Sequence, residues 1–329
     1  EAIPDGAGGT VLAAKDGDIV LAKGFGRADR EAGTACRIDT VYDIGSLTKQ
    51  FTAAAILALD ESGALAVTDP MRRFVSGVPA DKRTITLHHL LTHTAGLADV
   101  LGGDYDVCSR SDLVAAALAS PLRFSPGEGY AYSNVGYSLL AAVIELVTGE
   151  GYETVLADRL FEPAGMHQTG YVRPFWRPGR VAVEYDEDGD RQGTPLDRRW
   201  ADDGPYWHLR GNGGLLSTAR DMYRWHVALN DDRVLSGEAR RRLFKPYVRE
   251  EPDGDTFYGY GWVVLPRRSE RGRGRIVLHN GGNGRSYAEL ARFVDDDAMV
   301  FWATGGVRLK GEWDLEGLEL TEEIGRRLS

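Results

Sequence analysis

A serine and a lysine stand three residues apart in the stretch YDIGSLTKQF, as Ser46 and Lys49. A serine hydroxyl is a weak nucleophile that needs an adjacent base, and a lysine is that base only when its surroundings lower its pKa from about 10.4. If a helix begins at Leu47, both side chains lie on one face and can touch. The alternative is structural, because a serine at that position also caps a helix and leaves the lysine exposed.

Two further patterns place polar or small residues beside predicted elements. Tyr132 and Asn134 precede a helical run in YAYSNVGYSLL, where the asparagine can also be a cap and the tyrosine a core residue. The strand RIVL is followed by His279, Asn280, Gly281 and Gly282. Glycines at a strand edge allow close approach, although such a run is often only a turn. Together the three motifs come in a fixed order, a nucleophile helix, a Tyr-x-Asn loop and a strand with a basic residue, and this order is a recognisable pattern.

Strand patterns lie at both ends of the chain, and helical patterns lie between them. Asp16-Gly17 is a strong hairpin signal between two apolar runs. Four more short strands are predicted in YGYGWVVL, GRIVLHNGG, YAELARFVD and AMVFWATGG. Apolar residues recur at helical spacing in LTKQFTAAAILALDESG, SDLVAAALAS, GYSLLAAVIELVTG, ETVLADRLFEPAG and EWDLEGLELTEEIGRRL. We predict an α/β (α+β) fold whose antiparallel sheet is built from both termini, with flanking helices and an inserted, mainly helical lobe.

Length and composition limit the class of protein. The 329 residues, 43% of them hydrophobic, are enough for a sizeable core. We predict one catalytic domain, 1–329, with an α/β lobe from 1–60 and 250–329 and a helical lobe from 61–249. A net charge of −10 without a basic stripe excludes nucleic acid as a partner. No apolar run reaches the roughly 18 to 20 residues of a membrane span.

The first residues and the two cysteines are evidence on whether the protein is exported. EAIPDGAGG has neither a basic start nor an apolar signal core, and the chain does not begin with Met. The missing Met indicates that a leader or some other preceding segment was removed, which leaves export open. Cys36 and Cys108 cannot form a disulfide framework or a CxxC site, and two free thiols are favoured over one bridge.

The three motifs and their order resemble the serine β-lactamase and penicillin-binding-protein family, in particular its class C-like and esterase branch. Four longer stretches resemble that family in the same order: ITLHHLLTHTAGL, FSPGEGYAYSNVGYSLLAAVIE, LFEPAGMHQT and GNGGLLSTARDMYRW. The resemblance covers most of the chain and implies a β-lactamase/transpeptidase-like fold. It favours a periplasmic or secreted protein, with a cytoplasmic location as the alternative.

The resemblance also implies roles for individual residues. Ser46 would be the acylated nucleophile, and Lys49 would accept its proton. Tyr132 would be a second general base or acid that protonates the leaving group, and Asn134 would orient Lys49 and a substrate amide. The backbone N–H groups of Ser46 and Gly282 would form the oxyanion hole.

One position departs from the family pattern, because His279 stands where β-lactamases and D,D-peptidases have a lysine. A histidine is only partly charged near pH 7, so we expect weak capture of a substrate carboxylate, fading as pH rises. Asn280, Gly281 and Trp207 are predicted to contact the substrate.

The resemblance implies a serine hydrolase that acts through an acyl-enzyme on a small ester, a D-amino-acid amide or peptide, or a β-lactam. No metal or organic cofactor is expected. The alternatives are a penicillin-binding module that is acylated but turns over poorly, as a sensor or sink, and a true β-lactamase.

Other polar and aromatic residues have structural interpretations. His89 and His93 are four apart on a predicted helix, but no Glu completes an HExxH motif, so we predict no metal site. Ser217 is predicted to cap a helix that carries Asp221 in its first turn. The irregular excursion 170–210 holds aromatic residues that either line a pocket or pack loops together: Trp176, Trp200, Tyr206 and Trp207.

Overall fold

An eight-stranded antiparallel sheet forms one layer of the protein in a computed structural model that describes residues 3–177, 179–198, 200–266, 274–316 and 319–328. Its strands are β1 (Gly9–Lys15), β2 (Asp18–Phe25), β7 (Val248–Arg249), β8 (Phe257–Tyr258), β9 (Val263–Leu265), β10 (Ile276–Gly282), β11 (Tyr287–Phe293) and β12 (Ala298–Thr304). Their order across the sheet is β2-β1-β12-β11-β10-β9-β8-β7. Short antiparallel pairs join β3 (Arg27–Asp29) to β4 (Thr34–Ala35), β5 (Val41–Asp43) to β6 (Leu216–Thr218), and β13 (Arg308–Leu309) to β14 (Trp313–Asp314).

The two ends of the chain meet in the middle of this sheet. Strand β12 lies between β1 and β11, and Leu12 is in register with Phe301. The hairpin between β1 and β2 turns at Asp16 and Gly17, whose φ angles of 53° and 80° suit a type I′ turn. The predicted antiparallel sheet built from both termini is confirmed.

Helices supply the rest of the core: α1 (Thr48–Glu61), α2 (Leu87–Leu91), α3 (Arg110–Ala119), α4 (Asn134–Thr148), α5 (Tyr152–Leu156), α6 (Glu162–Ala164), α7 (Ala219–Ala228), α8 (Gly237–Leu243) and α9 (Leu320–Leu328). Helix α1 is alanine-rich and buried on nearly every face, so it lies inside the molecule and holds its first turn rigidly. Helix α4 ends where Gly149 adopts φ 74°, as a left-handed cap requires. The amphipathic α9 packs on β12 and β11.

Two predicted caps are one residue away from the true ones. Helix α4 is capped by Ser133, which accepts a hydrogen bond from Gly136 N at 3.0 Å, so Asn134 is free to point elsewhere. Helix α7 is capped by Thr218, whereas Ser217 belongs to strand β6. Neighbouring residues with polar side chains can take the same capping role, and tertiary packing decides which one does.

Sheet and helices share one large hydrophobic cluster, which includes Leu12 and Phe301 from strands and Phe51 and Leu139 from helices. The division into lobes 1–60 with 250–329 and 61–249 stays a prediction. Cys36 and Cys108 are both buried and free, as expected. No helix in the described ranges is long and apolar enough to cross a bilayer.

Candidate active site

Ser46 lies in a tight 3-10 turn, Gly45–Leu47, between β5 and α1. Helix α1 begins at Thr48, and the Ser46 side chain caps nothing, so the structural interpretation as an N-cap is wrong. The turn needs glycine beside the serine, because Gly45 has φ 51° and a Cβ there would lie 2.5 Å from the nitrogen of Gly282. The serine is therefore presented against strand β10.

Lys49 is fully buried one turn along α1 and aims its amine at Ser46. Its Nζ donates to Ser46 Oγ at 3.0 Å, to Asn134 Oδ1 at 2.7 Å and to the backbone oxygen of Asn212 at 2.7 Å. Three acceptors fix the position of the ammonium hydrogens. The predicted contact between serine and lysine is present in the structure.

Burial lowers the pKa of Lys49 to about 7, and the carboxylates of Asp99 and Asp104 oppose that shift. A lysine with this pKa is neutral in about half of the molecules at pH 7. It can then accept a proton from a hydroxyl at hydrogen-bond distance, which an ordinary exposed lysine cannot do at that pH.

Tyr132 stands on the other side of the amine, with its ring centroid 4.7 Å from Lys49 Nζ. Burial raises the pKa of its phenol well above the ordinary value, and a hydrogen bond with Ser46 opposes this shift. The phenol is therefore protonated at neutral pH, with its hydroxyl directed at the nucleophile. Such a group can pass a proton to a departing atom.

Asp99 holds Asn134 in place, and no sequence pattern indicated this residue. Its Oδ1 accepts from Asn134 Nδ2 at 3.0 Å and from Asn134 N at 3.2 Å, so the amide oxygen is left to face Lys49. Asn212 was missed too, although it lies in the GNGG stretch that carries part of the resemblance. Its Nδ2 donates to Ser138 Oγ and to the backbone oxygen of His208, each at 2.8 Å.

Gly281 and Gly282 bring strand β10 directly against the serine turn. A Cβ on Gly281 would overlap the Ser46 nitrogen and would lie 2.6 Å from the oxygen of Ile44. Only glycine lets the two backbones approach this closely. The backbone nitrogens of Ser46 and Gly282 both lie at this contact between the serine turn and the end of β10.

A carboxylate clamp that the sequence did not indicate joins these two backbone segments. Asp43 accepts from Gly45 N at 2.8 Å and from Asn283 Nδ2 at 3.1 Å, and the same amide donates to Glu184 at 2.7 Å. Burial, reinforced by the charge of Glu184, raises the pKa of Asp43 to about 7. Glu184 also forms an ion pair with Arg198. The clamp ties the serine turn to the end of β10.

His279 is buried and hydrogen-bonded at both ring nitrogens. Nδ1 donates to the backbone oxygen of Asn280 at 2.6 Å, which leaves Nε2 to accept from the Tyr258 hydroxyl at 3.0 Å. Burial and then the charge of Lys49 lower its pKa to about 3. The prediction of a partly charged imidazole whose hold on a carboxylate fades near pH 7 is therefore wrong, since this ring is neutral throughout that range.

Trp207 does not line the cleft that contains Ser46, so its prediction as a substrate contact is wrong. It is buried, stacks 5.0 Å from the Arg210 guanidinium and borders a separate cavity. The excursion 170–210 uses its other aromatic residues for packing. Trp176 joins a small core cluster, Trp200 meets the Tyr171 ring edge-on at 5.8 Å, and Tyr206 packs on the main core.

The two histidines considered for zinc are not paired on a helix. Helix α2 ends at Leu91, and His93 follows it with φ 59°. His89 Nδ1 accepts from Thr86 N, and His93 Nδ1 accepts from Ser133 N at 3.0 Å. Within the described part of the chain, no group of three or more His, Cys, Asp or Glu side chains is arranged to hold a metal ion.

A cleft of about 600 Å³ opens onto the serine. Asn280, predicted to contact substrate, borders it and donates to the Tyr287 hydroxyl at 3.0 Å. Its other described borders include Ser46, Tyr130, Tyr132, Glu250, Tyr258, His279, Gly281, Gly282, Ser286, Tyr287, Arg308 and Glu316.

An antiparallel sheet from both termini, an internal helix with a serine at its start, and a buried lysine beside that serine together define a β-lactamase/transpeptidase-like protein. The chain belongs to the Beta-lactamase family, whose family model matches residues 2–301. Members of this family are generally serine hydrolases.

Individual relatives carry several names. Penicillin-binding protein 4* of Bacillus subtilis is 32% identical over 87% of this chain, and esterase EstB of Burkholderia gladioli is 35% identical over 54% of it. The chain spans only 65% and 50% of the lengths of these curated relatives. An octameric penicillin-binding protein homologue from Pyrococcus abyssi superposes with a TM-score of 0.83 at 28% identity, over 98% of this chain and 73% of that one.

Proposed function

We propose that the protein hydrolyses a small ester, or a D-amino-acid amide or peptide, through an acyl-enzyme on Ser46. The observation that carries this proposal is the buried amine of Lys49, 3.0 Å from Ser46 Oγ, with its pKa lowered to about 7. The buried setting favours the neutral amine, which is the form that can act as a base.

In the acylation step, neutral Lys49 takes the hydroxyl proton as Ser46 Oγ bonds to the substrate carbonyl carbon. The negative charge moves to the carbonyl oxygen, where the N–H groups of Ser46 and Gly282 would stabilise it. Each such donor contributes about 3 to 4 kcal/mol to the transition state in known hydrolases. Tyr132 protonates the leaving group as its bond to carbon breaks, and Lys49 returns a proton to Tyr132.

In deacylation a water molecule attacks the acyl carbonyl and gives up a proton to neutral Lys49, while the protonated Tyr132 donates its own proton to Ser46 Oγ and is reprotonated by Lys49. Ser46 regains its proton as the ester bond breaks, and the acid product leaves. Asn134, held by Asp99, would keep the amine oriented in both steps.

The substrate preference rests on His279. A neutral, doubly hydrogen-bonded imidazole offers no positive charge to a carboxylate, and this supports esters and amides over the anionic β-lactams. A penicillin-binding module that is acylated but turns over poorly is the second candidate, favoured by the relative named penicillin-binding protein 4*.

The two candidates separate on the fate of the acyl group. We would follow intact mass and product release in parallel after mixing the protein with a neutral chromogenic ester or with a penicillin. We expect repeated ester turnover with little accumulated adduct. A persistent penicillin adduct without turnover of any ester would contradict the proposal and favour the binding module.

A further inference from the structure

One side of the catalytic cleft is built from tyrosines and a glutamate. Tyr130, Tyr132 and Glu250 border the same cavity as Ser46, and the fully buried Tyr258 packs near the two other tyrosine rings. We call these four residues the tyrosine–glutamate wall. The Tyr130 hydroxyl donates to Glu250 Oε1 at 3.0 Å. The Tyr258 ring centroid lies 6.1 Å from that of Tyr130 and 6.4 Å from that of Tyr132.

Among the described residues, the cleft has more acidic than basic side chains at its border. Among the described residues that border it, Arg308 is the basic side chain, and it is paired with Asp314 at 3.2 Å and with Glu316 at 3.6 Å. The His279 ring is neutral, and the Lys49 amine already donates hydrogen bonds to three protein acceptors. The Glu250 carboxyl group accepts a hydrogen bond from the neutral phenol of Tyr130.

Two more carboxylates add to this field from the opposite side of the serine. Asp99 bonds to Asn134, and Asp104 borders a small inner cavity that also contains Ser46 and Asn134. Both act on Lys49 in the direction that favours positive charge. These carboxylates add negative charge near Ser46, beside the partly protonated amine of Lys49.

We propose that the substrate carries a cationic ammonium group that binds against the tyrosine–glutamate wall. Aromatic faces attract such a cation, and a carboxylate at the same surface strengthens the attraction. A carboxylate substrate at this position would meet repulsion from Glu250. This inference rests on the proposed hydrolase function and names the chemical class of its substrate, an ester or amide of an amino or quaternary ammonium acid.

Size and charge together limit the ligand. A cavity of about 600 Å³ holds a molecule of modest size, so the ammonium group lies a few bonds from the carbonyl that Ser46 attacks. Glu250 would then act as a specificity residue that binds substrate without entering the proton transfers.

The test compares two p-nitrophenyl esters of the same shape. One has a trimethylammonium end group on a butyryl chain, and the other has a tert-butyl end group in which carbon replaces the charged nitrogen. We expect kcat/KM for the cationic ester to exceed that of the neutral one by about tenfold near neutral pH at low salt. The ratio should fall as salt rises.

Glu250→Gln should lower this ratio to near one, because it keeps the shape of the side chain and removes its charge. Glu251→Gln is the matched control, since Glu251 is an exposed neighbour that does not border the cleft, and we expect it to keep the wild-type ratio. Because the readout is the ratio of kcat/KM for the cationic ester to kcat/KM for the neutral one, a general loss of activity cancels. The wild-type comparison also stands alone if the Glu250 variant does not fold.

A wild-type ratio of one or below, or a ratio that Glu250→Gln leaves unchanged, would overturn the inference. In that case hydrolysis of the neutral ester would still support the proposed function. Hydrolysis of neither ester would instead remove the proposed function, and this inference with it.

Discussion

At the scale of single residues, the chemistry depends on one amine kept out of water. Lys49 is enclosed by Ser46, Asn134 and Asn212, and this enclosure lowers its pKa. The S-x-x-K spacing predicted the contact with Ser46, because residues three apart on a helix share a face. The spacing could not predict the burial, which depends on segments 85 and 163 residues further along the chain.

The lowered pKa predicts a specific pH profile. Only the neutral amine accepts the Ser46 proton, so kcat/KM for a neutral ester should rise about tenfold per pH unit below pH 7 and level off above it. Asp43 also has a pKa of about 7. We treat Asp43 as a group that positions the serine turn and does not accept the Ser46 proton. Stopped-flow or steady-state rates should therefore show the same midpoint in Asp43→Asn. Activity that falls between pH 6 and 8 would contradict the role of Lys49.

His279 shows where residue-level prediction failed. The sequence suggested an imidazole near its ordinary pKa, since nothing beside it in the chain indicates burial. In the fold it sits under Tyr258 and near Lys49, and both ring nitrogens are occupied. Its protonation is a property of the tertiary structure.

At the scale of elements, the site depends on the contact between the serine turn and the end of β10. The turn ends in helix α1, which is buried and rigid, and β10 is held in the sheet by β9 and β11. Gly45 and Gly281 permit the contact, and Asp43 with Asn283 ties the two segments together.

Gly281→Ala tests this contact. The added methyl group would overlap the Ser46 nitrogen and push β10 away, so the N–H groups of Ser46 and Gly282, which we propose as oxyanion donors, would separate. We expect ester hydrolysis to fall by about 100-fold or more, as when one oxyanion donor is lost. Gly151→Ala is the matched control, because only Thr154 Oγ1, at 3.9 Å, lies within reach of a Cβ there. Near-normal rates in Gly281→Ala, with the control also active, would contradict this account of the site.

Strands, helices and motifs were predictable from local patterns, but the supporting polar residues were not. The alternation and turn signals predicted the sheet, and the three motifs predicted residues that the structure brings to one cleft. Asp43, Asp99 and Glu184 lie in irregular or short segments and act across long sequence separations. No spacing rule connects a carboxylate to a partner 35 or 240 residues away.

At the scale of the whole molecule, the site lies where three distant parts of the chain meet. The serine comes from the turn that precedes α1, Tyr132 from the loop before α4, Asn134 from the first residue of α4, and the glycines from β10. Strand β12 crosses between the N-terminal strand β1 and β11, so closing the sheet brings β10 to the serine turn. At this assembled site we propose that Ser46 is the nucleophile.

The most direct measurement of that claim is covalent labelling by a serine-directed fluorophosphonate, with the adduct located by peptide mass spectrometry. We predict one adduct per chain, on Ser46, in the wild type and in the control Ser62→Ala, whose hydroxyl donates to the backbone oxygen of Leu59 at the far end of α1. Ser46→Ala should take up no label and hydrolyse no ester. Stoichiometric labelling of Ser46→Ala at another serine, such as the cleft residue Ser286, would contradict the account.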